Sequence, residues 1–93
     1  MARKLTDYDI NFFSDPRYGS SDVSSNMKDY YDGVKAMNRE IRGFLRKKPL
    51  DVVRKYFRDN EEYYDLISDD TYFGVGYENA FYRFAQTGKL LKR

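Results

Sequence analysis

The side chains that most often do chemistry in a small protein are missing here: the 93-residue chain has no histidine and no cysteine. That removes the commonest general base, the commonest neutral metal ligand, thiolate nucleophiles and disulfides together. Catalysis would have to rest on Asp, Glu, Lys, Tyr and Ser. The densest group of these is Asp59, Glu61, Glu62, Asp65, Asp69 and Asp70, a block with no basic residue inside it. Paired carboxylates can act as acid and base across a cleft of roughly 5–9.5 Å, but a short helical chain seldom offers such a cleft. The block also departs from the spacing of an EF-hand loop. Gly74-Val75-Gly76 lacks the third glycine of a dinucleotide fingerprint and no strand is expected before it. The sequence has no phosphate loop and no zinc-ligand pattern.

Tyr30-Tyr31 and Tyr63-Tyr64 share a residue type, and nothing more, with the tyrosine nucleophiles of replication-initiation and strand-transfer enzymes. Those nucleophiles need a divalent metal or an array of Arg and His around the phenol. Histidine is absent, and Tyr30 falls on an apolar seam, so core packing is the expected role. The expectation is a protein that is not an enzyme, carries no cofactor or metal, and works by binding.

The elements that must position any binding surface follow from hydrophobic spacing. Val23, Met27, Tyr30, Val34, Met37, Ile41 and Phe44 recur at 4-3-4-3-4-3, a heptad seam on one helix, with Tyr31 and Leu45 widening it. This helix is predicted over 23–48, about 25 residues or roughly 38 Å long. Ser21 or Ser24 would cap it, Asp22 and Asp29 would complement its positive end, and Arg46, Lys47 and Lys48 its negative end. Pro49 stops it and can open a second helix as its first residue. Leu50, Val53, Tyr56 and Phe57 give that helix an apolar face. Asp59 with Glu62 has capping-box spacing and predicts a break and restart, after which Tyr63, Tyr64 and Ile67 continue the face. Residues 68–76 are expected to form a loop exposing Tyr72 and Phe73. A last helix over 77–87 carries Tyr77, Ala80, Phe81, Phe84 and Ala85, and Gly88 ends it.

Before all this lies a segment, 1–22, that reads as an irregular arm. Asp15-Pro16-Arg17-Tyr18-Gly19 is a turn signal. Leu5, Tyr8, Ile10, Phe12 and Phe13 are too apolar for a free tail and are expected to dock on the core or a partner, as strand or as short helix. The predicted fold is mainly α: a small three- or four-helix orthogonal or bundle-like domain over 23–88, preceded by the arm and followed by a basic tail over 89–93. The predicted core is aromatic, since ten Tyr and seven Phe make up 18% of a chain that is only 41% hydrophobic. No apolar run approaches the roughly 20 residues that span a bilayer. Leu5 to Phe13 is broken by Asp7, Asp9 and Asn11, so no secretory leader is read there. A cytoplasmic protein without membrane association is the expectation.

The net charge of +2 conceals two poles. Lys35, Arg39, Arg42 and Arg46 line the helix face opposite the seam, and Lys47, Lys48, Arg54, Lys55 and Arg58 extend it into a cationic corner. The acidic block follows immediately. Beside aromatics, such a corner suits phosphate contacts with base stacking; an ordinary solvated face is the better fit, because a net charge of +2 is weak for a nucleic-acid binder and a pI of 8.8 falls just short of the usual guide. Gly33, Ala36 and Gly43 lie on a further flank, and each mid-helix glycine costs about 1 kcal/mol relative to alanine, so the flank marks either a close approach or a kink.

Three binding roles follow. The first is an accessory factor or inhibitor that docks on a larger protein or nucleoprotein complex. Seventeen Tyr and Phe exceed the about ten that helical facing places in the core, leaving Tyr18, Tyr72, Phe73 and Tyr82 for an interface, and Tyr is enriched at binding hot spots. The second is nucleic-acid binding through the cationic corner. The third is a homo-oligomer built on the seam or on the bipolar charge. The compact, tyrosine-rich helical make-up has the style of a virus- or mobile-element-encoded accessory protein, without a motif beneath it.

Overall fold

The computed structural model describes residues 11–20 and 22–91. Among them lie four helices, α1 (Val23–Leu45), α2 (Leu50–Asp59), α3 (Glu61–Ile67) and α4 (Tyr72–Thr87), with further helical backbone at 11–13 and no strand. The mainly α, bundle-like domain is therefore observed. The seam packs inside the chain: Val34, Met37 and Ile41 of α1 meet Val53 and Phe57 of α2, Tyr64 of α3, and Ala80, Phe81, Phe84 and Ala85 of α4. Phe57 makes edge contacts with Phe44, Phe81 and Phe84 at ring separations of 5.5–5.8 Å, so a few large rings fill the space.

The principal pairing is α1 on α4, and glycines permit it. A Cβ on Gly33 would lie 2.0 Å from the Phe73 carbonyl oxygen, and one on Gly76 would lie 1.9 Å from that of Tyr30. The close approach expected of Gly33 is thus seen, whereas Gly43 has nothing within 4 Å of its would-be Cβ. The same packing explains why 72–76 is helix and not the expected loop: Gly74 and Gly76 serve backbone proximity, and Thr71 caps α4, its Oγ1 accepting from Gly74 N at 3.1 Å.

Other boundaries shift for local reasons. Asp22 caps α1 in place of the expected serines, its Oδ1 accepting from Ser24 N at 3.1 Å and Ser25 N at 3.4 Å. The helix ends at Leu45 instead of Lys48, because Pro49 disfavours helical backbone in the residue before it and 46–48 form a turn closed by Lys47 N and Lys48 N on Phe44 O. Pro49 is extended and precedes α2, with its carbonyl accepting from Val53 N at 3.1 Å. The break between α2 and α3 falls at Asn60 without the capping box, since Asp59 pairs with Lys55 at 2.7 Å. Gly88, at φ 75°, ends α4 as expected.

The described part of the arm is pinned down. Phe13 is buried, and the buried Asn26 donates from Nδ2 to Phe13 O at 2.5 Å and Ser20 O at 2.6 Å. The 15–18 turn closes with Tyr18 N on Asp15 O at 3.2 Å. Leu5, Tyr8 and Ile10 lie outside the described residues. At the other end Leu90 and Leu91 pack against the core, and Asn38 Nδ2 donates to Leu91 O at 2.9 Å.

Candidate functional site

The surface that most needs explaining is made by α3. Seven residues give this helix two turns, and only Tyr64 points inward, its ring stacked on Phe81 at 4.8 Å and its hydroxyl donating to Glu40 Oε1 at 3.0 Å. At 100° per residue, Tyr63, Leu66 and Ile67 share one side of α3, Ile67 nearest the inward Tyr64 and Leu66 almost opposite it. They are 54%, 78% and 47% exposed. The expectation that Tyr63 and Ile67 continue the core face is thus corrected: a helix this short, held by one side chain, leaves the flank beside Tyr64 exposed. Ile67 and Phe73, itself 43% exposed, then line one crevice of about 120 Å³ together with Asp69 and Tyr77. Tyr63, Leu66, Ile67 and Phe73 form an apolar strip across the end of α3 and the start of α4. Monomeric soluble proteins seldom expose large apolar residues side by side without a use for them.

The strip is firmly based. Glu40 reaches from α1 to accept from Tyr64 at one carboxylate oxygen and from Tyr77 at the other, the latter at 2.6 Å. Burial first, then the Glu40 charge and hydrogen bond, push both phenols well above the ordinary tyrosine range. Tyr64 is therefore held as a hydrogen-bond donor, the reverse of an activated nucleophile. Glu62, one turn before Leu66, and Asp69, in the crevice with Ile67 and Phe73, lie beside the strip, and Asp70 follows in the chain; all three are exposed. Further round, Tyr82 donates to Asp65 Oδ1 at 2.7 Å, and burial followed by the Asp65 charge raises the Glu78 carboxyl.

Of the four aromatic residues expected at an interface, only Phe73 is exposed. Tyr72 is buried, not exposed. As the first residue of α4 it turns back beneath the arm, where its hydroxyl donates to Phe12 O and accepts from Asp15 N at 2.9 Å. Tyr18 is half-buried with its ring 5.7 Å from that of Tyr72. Tyr82 is half-buried and committed to Asp65.

The cationic corner is divided. Lys35, Arg39, Arg42, Arg46, Lys47 and Lys48 are exposed, and no ion pair holds them among the described residues. Arg46, Lys47 and Lys48 border an open groove of about 490 Å³, with Phe44 and the carboxylate of Glu40 on its wall. Arg54 is engaged elsewhere, its guanidinium donating to Ala85 O at 3.3 Å and Gln86 O at 2.9 Å and so satisfying the C-terminal carbonyls of α4. Lys55 is tied to Asp59, and Arg58 lines a separate recess with Glu61 and Tyr82. Beside the groove a second, smaller apolar strip emerges. Val52 and Tyr56 of α2, one turn apart, are exposed, and Tyr56 packs on Phe44 at 5.0 Å, while the exposed Leu50 lies on the other side of the helix near Gly88.

Among the described residues no three Asp or Glu side chains are placed to hold a metal, and no helix is long and apolar enough to cross a membrane. Fold and surfaces together define a small helical domain with two apolar strips, one edged by acidic residues and the other by basic ones. Comparison with family models, with curated proteins and with solved structures finds no match for the chain.

Proposed function

We propose that the protein is a non-enzymatic, cytoplasmic protein-binding module or accessory factor, and that its working surface is the strip Tyr63, Leu66, Ile67 and Phe73. One observation carries this reading: Leu66 stands 78% exposed on the same side of α3 as the exposed Tyr63 and Ile67, on a helix braced from beneath by Tyr64, Tyr77 and Glu40. A rigid, pre-formed apolar strip with an acidic edge has the anatomy of an interface core and rim, and binding to it requires little ordering. The test is capture of partners by wild-type protein and by Leu66→Asp. Leu66 lies outside the buried core, so the variant keeps the wild-type thermal midpoint while losing its partners. Identical captured sets would remove the reading.

A second reading, nucleic-acid binding, is favoured by the unpaired Arg39, Arg42, Arg46, Lys47 and Lys48. It predicts affinity that falls steeply with salt, with a shallower dependence when these residues are neutralised. Arg54 is excluded from that set by its role at the end of α4. No mobility shift at low salt would end it.

A further inference from the structure

The two exposed apolar strips differ in the charge around them. On α3 and α4, Tyr63, Leu66, Ile67 and Phe73 are bordered by Glu62, Asp69 and Asp70. On α2, Val52 and Tyr56, one helical turn apart, adjoin through Phe44 the groove bordered by Arg46, Lys47 and Lys48, whose one carboxylate, Glu40, is taken up by Tyr64 and Tyr77. We propose that the acidic strip of one molecule docks on the basic strip of a second copy, so that the chain associates head to tail. This rests on the reading of the α3 strip as a protein-binding surface and names its occupant.

Charge selects this arrangement over the alternatives. Pairing the acidic strip with itself would set Glu62, Asp69 and Asp70 against the same residues of the other copy, and the basic strip has the mirror problem with its three cations. Like charges brought together at an interface are disfavoured, whereas opposite rims both attract and fix register. Each strip also supplies what the other lacks: Leu66 stands proud of α3, and the groove beside Phe44, at about 490 Å³, is open enough to receive a side chain of that size. Because the two surfaces are different patches of one molecule, the contact is heterologous, and it leaves one free strip at each end for another copy. Of the α1 seam only Phe44, on the groove wall, takes part, since Val34, Met37 and Ile41 are buried within the chain.

The experiment uses three full-length proteins in analytical ultracentrifugation, from low micromolar to millimolar concentration. Wild type should show an average mass that climbs with concentration, and the climb should weaken as salt is raised. Leu66→Asp disables the acidic strip, and Lys47→Glu with Val52→Asp disables the basic one. All three positions are exposed, and thermal melts confirm that the variants fold. Each variant alone should stay monomeric. Their equimolar mixture should form a dimer and nothing larger, because each brings the one strip the other has lost. Wild type that stays monomeric throughout overturns the proposal, as does a mixture that stays monomeric while wild type associates. Either failure leaves the α3 strip free for a different protein, which cross-linking from position 66 registers separately.

Discussion

Two glycines of α1 set propensity against packing. Alanine in place of glycine within a helix is favourable by about 1 kcal/mol, so residue type alone predicts that Gly33→Ala and Gly43→Ala are both stabilising. The structure separates them. At Gly43 the new methyl group meets nothing within 4 Å, and the full gain of up to about 1 kcal/mol should be realised. At Gly33 it would stand 2.0 Å from Phe73 O and 2.9 Å from both Phe73 C and Tyr77 N. These are backbone atoms of α4, so no rotamer change relieves the clash; the helices must part by about 1 Å or more, opening contacts around a core at close-packed density. Overpacking of this kind costs about 1–3 kcal/mol, and a rigid backbone contact belongs at the upper end. After the propensity gain, Gly33→Ala should lose about 2 kcal/mol. The variants should then differ by about 3 kcal/mol, or roughly a hundredfold in unfolding equilibrium. That is a large share of the about 5–14 kcal/mol typical for a domain this size. Urea denaturation followed by far-UV circular dichroism measures it. Equal stabilisation of both variants would refute the close approach of α1 and α4.

Further outcomes follow from single contacts. Tyr72→Phe keeps the buried ring but strands Asp15 N and Phe12 O, so stability should fall by about 1–2 kcal/mol and proteolysis within 14–20 should quicken; an unchanged urea midpoint would count against the anchoring of the arm. Arg54→Met retains the packed stem but uncovers the carbonyls of Ala85 and Gln86, and should cost about 1 kcal/mol. Arg46→Met, at an exposed unpaired position, should stay within about 0.5 kcal/mol of wild type; the same urea midpoints check both. Tyr64 and Tyr77 have folded-state pKa values raised above the unfolded value of about 10. Above that pH the folded state therefore holds more protons than the unfolded one, and stability, complete below about pH 10, declines as pH rises past it. Tyr77→Phe should make the decline shallower, as read from urea midpoints on either side of that pH, and an unchanged slope would argue against the Glu40 clasp.

The long helix and the last helix are legible in the sequence because their apolar residues repeat over many turns, and the repeat survives any detail of packing. Short elements are not. Spacing assigns Tyr63 and Ile67 to a core face, but it carries no information on whether a seven-residue helix has enough support to turn that face inward. Residues 72–76 read as loop because glycines signal flexibility along the chain, whereas Gly76 answers a close approach to Tyr30 that is visible only between helices, and Gly74 makes room for Asp69. Leu66 escapes notice as an apolar residue out of phase with its neighbours, although that misfit is what leaves it on the surface. The acidic block around it is plain from composition. Among the cations, Arg54 shows the limit of charge patterning: a guanidinium serves a helix end as well as it serves a phosphate, and only the fold distinguishes them.

The protein-binding role proposed for the chain turns on whether the α3 strip meets another protein. A photo-reactive phenylalanine analogue at position 66, compared with the same residue at the exposed position 79, tests this most directly in cells expressing the protein. Discrete cross-linked protein adducts are predicted from position 66, including one at the mass of two copies, and none of these from position 79. Illumination that yields no adduct from position 66, or the same adducts from both positions, would contradict the docking role of the strip.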